Sequence, residues 1–221
     1  MSRYIIKYGR DDRVKYISHL DFMRCFHRTI RRSRLQFLFS QGFNPHPIMT
    51  IAQPLSVGVT SESEFMNVGF EDGFKPREIV AILNDAFPPG FKAYSCFKLN
   101  AKEIDVAKID KALYIVEAEH EGKADIEAFM ANKELIVPKK TKRGISDSDI
   151  RPHIFELREL SDNDGVITLE MLISVGSAYN LKPETVLDAM DKYCEGFSHG
   201  FMSIHRKAMY GGGVEKLKNI V

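Results

Sequence analysis

The chain has 221 residues, of which 44% are hydrophobic and 28% charged, a composition that supports one large folded domain or two small ones. No apolar run approaches the ~20 residues of a membrane span, and Met1–Tyr8 lacks the apolar stretch of a signal peptide. Cys25, Cys96 and Cys194 are scattered and odd in number, which excludes a C-x-x-C zinc or iron–sulfur motif and fits reduced thiols in the cytoplasm. The net charge of +1 conceals an asymmetry: residues 1–50 hold ten Lys/Arg against three Asp, a local excess of +7 that leaves −6 for the rest. A field of that kind steers a polyanion even when the whole chain is near neutral.

In chain order, Arg3–Lys7 reads as a strand and Gly9–Arg13 as a polar turn, with Val14–Ile17 extending the pairing. Ser18 then stands as an N-cap with Asp21 in the capping-box position, Asp replacing the usual Glu. A helix follows to about Ser33, with Phe22, Met23, Phe26 and Ile30 on one side and Arg24, Arg28, Arg31 and Arg32 on the other. After the apolar Leu35–Phe39 comes a Gly/Asn/Pro loop, and Ile48–Ala52, Leu55–Val59 and Glu64–Phe70 read as strands. Pro76–Phe87 is helical by its apolar spacing, Pro88-Pro89-Gly90 stops it, and Phe91–Leu99 is a strand. With the stretch broken at Gln53-Pro54 counted as one strand, the order is strand, helix, strand, strand, helix, strand: the ferredoxin-like split βαβ pattern.

The second half repeats that order loosely. Strands are expected at Ala112–Ala118, Leu135–Pro138, Ile154–Leu160, Val166–Ile173 and Phe201–Lys207, with helices at Ala124–Ala131 and Pro183–Tyr193. The expected architecture is therefore α+β: two tandem ferredoxin-like halves with antiparallel sheets, over 1–100 and 110–210. Asn100–Asp110 would be the hinge, and 211–221, opened by Gly211-Gly212-Gly213, a mobile tail.

Three constellations carry functional meaning. His19 and Asp21 either belong to a helix cap or face a shared pocket as acid, base or ligand; with His46 they form the candidate catalytic set, and a metal there would need His46 as third ligand. The arginine face lacks acidic residues at i+4, so its guanidiniums repel each other by a few tenths of a kcal/mol per pair unless a polyanion relieves them. The loop Gly42-Phe43-Asn44-Pro45-His46-Pro47 is stiffened by two prolines. It is either a rigid connector or a platform that presents Phe43, Asn44 and His46, with Phe43 equally placed as core or as a base-stacking ring.

The candidate nucleic-acid contacts are thus Arg24, Arg28, Arg31, Arg32, Ser40, Phe43 and Asn44, joined by Lys139, Lys140, Lys142 and Arg143 in an expected loop and by Arg151, His205 and Arg206. An Asp149–Arg151 pairing is the structural alternative for Arg151. No phosphate-binding or dinucleotide-binding glycine motif and no G-x-S-x-G is present, and nothing points to a cofactor.

Tyr16–Asp21, Arg31-Arg32-Ser33, Phe39–Pro47, Pro54–Gly58, Ser61–Glu64, Asp149–Pro152 and His205–Lys207 resemble the bacterial radical SAM-linked protein family. That family is a domain of unknown function found beside, or fused to, a radical SAM protein, near genes for ribonuclease G and ribosomal proteins. The resemblance implies a radical SAM partner and tilts the reading toward RNA; it supplies no catalytic residues. The chain has no C-x-x-x-C-x-x-C cluster motif, so it resembles the linked partner and not the radical enzyme. The reading is an RNA-binding accessory protein in tRNA or rRNA modification or maturation, with no membrane or DNA partner. The alternatives are an RNA-modifying or RNA-cleaving enzyme using His19, Asp21 and His46, and a protein–protein adaptor that touches no RNA.

Overall fold

The computed structural model describes residues 2–71, 73–99, 104–141 and 144–215. The fold is mixed α+β, with mostly antiparallel pairing and few helices. It divides into two compact units, 1–110 with 208–221, and 111–207.

In the first unit β1 (Ser2–Arg10) lies between β4 (Phe91–Lys98) and β3 (Val59–Phe70), and short β2 (Met49–Ile51) pairs with β3; these pairings are all antiparallel. Helices α1 (His19–Arg32) and α2 (Pro76–Ala86) supply the rest of the core. Tyr4, Ile6 and Tyr8 alternate along β1 and are buried with Phe22, Phe26 and Ile30 of α1 and Ile79 and Leu83 of α2. The Tyr8 ring stacks on Phe22 at 5.0 Å, and Phe22 meets Phe91 at 5.4 Å. Aromatic pairs of this kind add about 0.5–1.5 kcal/mol beyond burial, so α1 is fixed by its inner side and its outer side is left free of packing duty.

In the second unit the strand order is β10 (Ser198–Gly211), β5 (Ile109–Glu121), β9 (Val166–Ser174), β8 (Ile154–Asn163). Alternate residues Ala112, Tyr114, Val116 and Ala118 of β5 are buried, as are Ile167, Leu169, Met171 and Ile173 of β9. Helix α3 (Ile126–Ala131) is short, and α4 (Pro183–Tyr193) opens on proline at its first turn.

Several expectations change. Val14–Ile17 extends no strand pairing: Asp12–Val14 is a single 3-10 turn, and Ile17 N–H donates back to the Val14 carbonyl at 3.2 Å. Residues 55–58 are not a strand, and β3 instead begins at Val59, because Ser56 and Gly58 turn the chain there. The basic run after Pro138 is not a loop: β6 (Ile136–Thr141) and β7 (Gly144–Asp149) form a separate hairpin in which Lys139 pairs with Ser146 and Lys140 with Ile145. Lys142 and Arg143 lie outside the described residues. The expected tail is tied down over its described part, since Asp105 N–H donates to the Gly212 carbonyl at 2.9 Å and Val214 is buried. The same bond holds part of the expected hinge, where Val106 and Ile109 are also buried.

Candidate nucleic-acid interface

The start of α1 is a cap. Asp21 N–H donates to Ser18 Oγ at 3.2 Å, and Ser18 Oγ donates to Asp21 Oδ2 at 2.8 Å. Arg24 donates to the other Asp21 oxygen at 2.9 Å. The Ser18 hydroxyl first, then Arg24, hold the Asp21 carboxyl below the usual carboxylate range, so it stays ionised and carries no proton to give at neutral pH. Buried Arg10 reaches across the turn that precedes the cap and donates to the carbonyls of Val14 and Ile17, fixing the approach to Ser18.

The site expected from His19, Asp21 and His46 is not assembled among the described residues. No hydrogen bond or ion pair joins either histidine to the other or to Asp21, and no three His, Cys, Asp or Glu side chains are grouped to hold a metal. Nor is a thiol activated: Cys25, Cys96 and Cys194 are free, burial raises all three thiols, and that of Cys96 is pushed up to about 12.

The arginine face separates into two kinds. Arg24 is paired with Asp21, and Arg32 donates to the Ala86 carbonyl at 2.9 Å, closing the C-terminal end of α2. Arg28 and Arg31 are exposed and have no hydrogen-bond or ion-pair partner among the described residues. Arg34, just past the helix, lies with its guanidinium 6.0 Å from the Phe74 ring.

The Gly/Asn/Pro loop is the tip of a finger, Leu38–Ile48, that stands on the edge of β3. Leu38 N–H donates to Gly69 O, and Gly69 N–H donates to Ile48 O, at 2.9 and 2.8 Å. Gly69 permits this close approach, for a Cβ there would sit 3.1 Å from Leu38 Cβ and 3.4 Å from Ile48 Cβ. Farther out, Ser40 N–H donates to His46 O at 2.8 Å and His46 N–H donates to Ser40 Oγ at 3.0 Å. That clasp encloses the tip Gln41-Gly42-Phe43-Asn44-Pro45, every residue of which is exposed. Gly42 has φ +132, a conformation side-chain-bearing residues rarely adopt. The Phe43 ring is 108% exposed, and Phe39, on the stem, is 51% exposed. Of the two readings of Phe43, the core one is corrected.

The finger root joins the arginine side of α1. Phe37 packs on Phe26 and Phe70 at 6.0 and 5.9 Å and meets the His27 ring edge-on at 5.4 Å. Burial first, then the charge of Arg31, lower the pKa of His27, whose Nε2 is buried without a partner among the described residues. Phe37 and Gly69 were not singled out by the sequence pattern; the alternation Phe37-x-Phe39 is the one local signal that the segment is extended.

In the second unit Arg206 and Arg151 turn inward, while Arg158 stays exposed and pairs with Glu156 at 2.7 Å. Arg206 is 4% exposed and donates to the Tyr114 hydroxyl at 3.1 Å. Arg151 donates to the carbonyls of Met130 and Ile154 at 3.0 and 3.1 Å. The expected Asp149–Arg151 pairing occurs through the backbone: Asp149 Oδ1 accepts from the N–H groups of Arg151 and Leu135. Both guanidiniums thus serve the fold, which corrects the expectation that they contact nucleic acid. His205 is half-buried on β10 and has a partner within the protein.

Residues 3–183 match the family model described as "Uncharacterized protein conserved in bacteria (DUF2344)", and the chain belongs to that family. No curated protein matches the sequence. A solved structure with a similar course of chain belongs to a Cbf5-Nop10-Gar1 complex, at 6% identity and a TM-score of 0.49 over 92% of this chain. The chain spans about half the length of that one, 47%.

Proposed function

We propose that this family member is an RNA-binding accessory protein whose contact surface is the outer side of α1 together with the finger. One observation carries the reading: Arg28 and Arg31 stand exposed and without partners among the described residues, beside a stiff finger that holds an aromatic ring in solvent. Two uncompensated guanidiniums near a half-buried imidazole disfavour each other, and a phosphodiester backbone relieves that by bidentate contact. The last turn of a helix favours cations through its dipole, which accounts for Arg31 and Arg32 in part but not for Arg28.

The finer architecture belongs to the same proposal. The strand orders β4-β1-β3-β2 and β10-β5-β9-β8 support a ferredoxin-like half in each unit, with the β6–β7 hairpin read as an insertion in the second. A radical SAM partner enters on the resemblance of the Tyr16–Asp21 and Phe39–Pro47 motifs. A cytoplasmic setting is supported by three cysteines without a disulfide, and no described helix is long and apolar enough to cross a membrane.

The test is a filter-binding titration of the full chain against RNA at several salt concentrations. Replacing Arg28 and Arg31 by Gln is expected to weaken binding to every sequence and to make the salt slope shallower by roughly 0.7 per lost phosphate contact. Stability should move by less than about 0.5 kcal/mol, as for exposed surface changes. Unchanged affinity and slope would remove the reading.

A further inference from the structure

We infer that the finger takes an unpaired nucleotide, Phe43 stacking on its base while Arg28, Arg31 and Arg34 hold the adjoining phosphates; the ligand class is single-stranded RNA and not duplex. This inference rests on the RNA reading above and narrows it.

Burying a Phe ring is worth about 1.5–3 kcal/mol to a fold. Phe43 contributes none of that, although the segment that carries it is built with care. The Ser40–His46 clasp, the Phe39–Pro47 bridge, Gly42 at positive φ and two prolines hold the tip in one form. Asn44 and His46 each precede a proline and are thereby confined to extended backbone. A ring carried on a preordered backbone has only its own side-chain torsions left to order when a flat partner covers it. At the other end Phe37 anchors the finger in the core between Phe26 and Phe70.

An exposed ring on a stiff finger also suits a protein partner, and the charges at the root decide between them. His27 touches Phe37 and feels Arg31, so the cationic side of α1 begins where the finger begins. Arg34 lies three residues before Phe37 in the chain and is exposed. Glu71 joins the root through its N–H on the Gln36 carbonyl, which still leaves the arginines in excess. Cations at the root and an apolar ring at the tip match a strand with phosphates on one side and bases splayed from the other. Duplex RNA offers no such base: its bases already cover one another, and the A-form major groove is too deep and narrow for side chains to read.

The experiment measures binding of the full-length protein, by fluorescence anisotropy, to a short unstructured RNA strand and to the duplex of that strand with its complement. The wild type is expected to prefer the strand. Phe43→Ala should lose on the order of 10-fold on the strand and nothing on the duplex, with an unchanged melting temperature. Phe43→Tyr should restore the loss, because it keeps the π face. The Arg28→Gln, Arg31→Gln double variant should weaken both ligands by the same factor. If Phe43→Ala binds the strand like the wild type while the arginine variant is weakened, the inference falls, RNA binding stands, and the ring belongs to a protein surface. If the wild type binds neither RNA, both fall together.

Discussion

Arg28 and Arg31 of α1 and Arg151 and Arg206 of the second unit give the same signal in sequence and do opposite things in space. The first unit has 18 Lys/Arg against 13 Asp/Glu and the second 13 against 17, so the surplus of cations lies in the unit where Arg28 and Arg31 have no acceptor among the described residues. Arg151 and Arg206 sit in the acidic unit, and their guanidiniums donate to carbonyls and to a tyrosine hydroxyl. A guanidinium has five N–H donors in a fixed fork. Once two or more point into the protein, little remains for a phosphate. What identifies a binding arginine is therefore where its donors end, and local charge density is a poor guide to that. Arg32 makes the point within α1 itself, because it lies on the basic face and yet serves Ala86.

The widest gap between the two kinds should open at Arg206. Arg206→Gln removes a charged donor from a site where the Tyr114 hydroxyl accepts, with the guanidinium 5.4 Å from the same ring. Losing hydrogen bonds to a buried charged group costs about 1.5–3 kcal/mol, so the urea midpoint should fall clearly while the affinity of the folded protein for RNA stays at the wild-type value. A variant that keeps its midpoint but loses RNA would reverse the assignment and place Arg206 with Arg28 and Arg31.

Arg151→Gln should show the same pattern on a smaller scale. Its two carbonyl acceptors lie in the last turn of α3 and at the start of β8, and Arg151 is only partly buried, so water replaces part of what is lost. A cost of about 1 kcal/mol is expected. Asp149 continues to hold the backbone N–H groups of Leu135 and Arg151 in the variant, which is why the turn should survive. Chemical denaturation beside an RNA titration separates the two effects here as well.

These differences set how much could be read from the chain. The start and end of α1 were legible, because Ser18 and Asp21 are a local device and Phe22, Phe26 and Ile30 repeat with the helix period. The boundaries of α4 were legible for the same reason, from Pro183 and its apolar spacing. The side on which Phe43 falls was not, since exposure there depends on the clasp between Ser40 and His46 and on the glycine at 69 that seats the finger. Arg206 was equally opaque: in His205-Arg206-Lys207 a strand must turn one residue inward, and the Tyr114 that makes Arg the choice lies 92 positions away. The β6–β7 hairpin was not legible because Lys139 and Lys140 read as solvated loop, whereas their pairing partners Ser146 and Ile145 come only after Lys142 and Arg143 in the chain.

The finest distinction falls on His27, which stands between the packed side of α1 and the open one. Its Nε2 is buried without a partner among the described residues, and its pKa is lowered by burial and then by the Arg31 charge. In the unfolded chain the imidazole takes up a proton near its ordinary value of about 6.5. In the folded chain it resists until a lower pH. Stability tied to His27 is therefore fully present above the ordinary value and declines as pH falls from there through the folded value. Acidifying the wild type from pH ~7.5 to ~5 should lower its melting temperature more than that of His27→Leu, which has no proton to bind and packs on Phe37. Arg31→Gln should recover part of the difference, because it removes the second cause and leaves the first. The effect is the smallest of the three, and it is specific: equal acid sensitivity in wild type and His27→Leu would mean that the imidazole reaches solvent, and that the charge on Arg31 is not felt at the root of the finger.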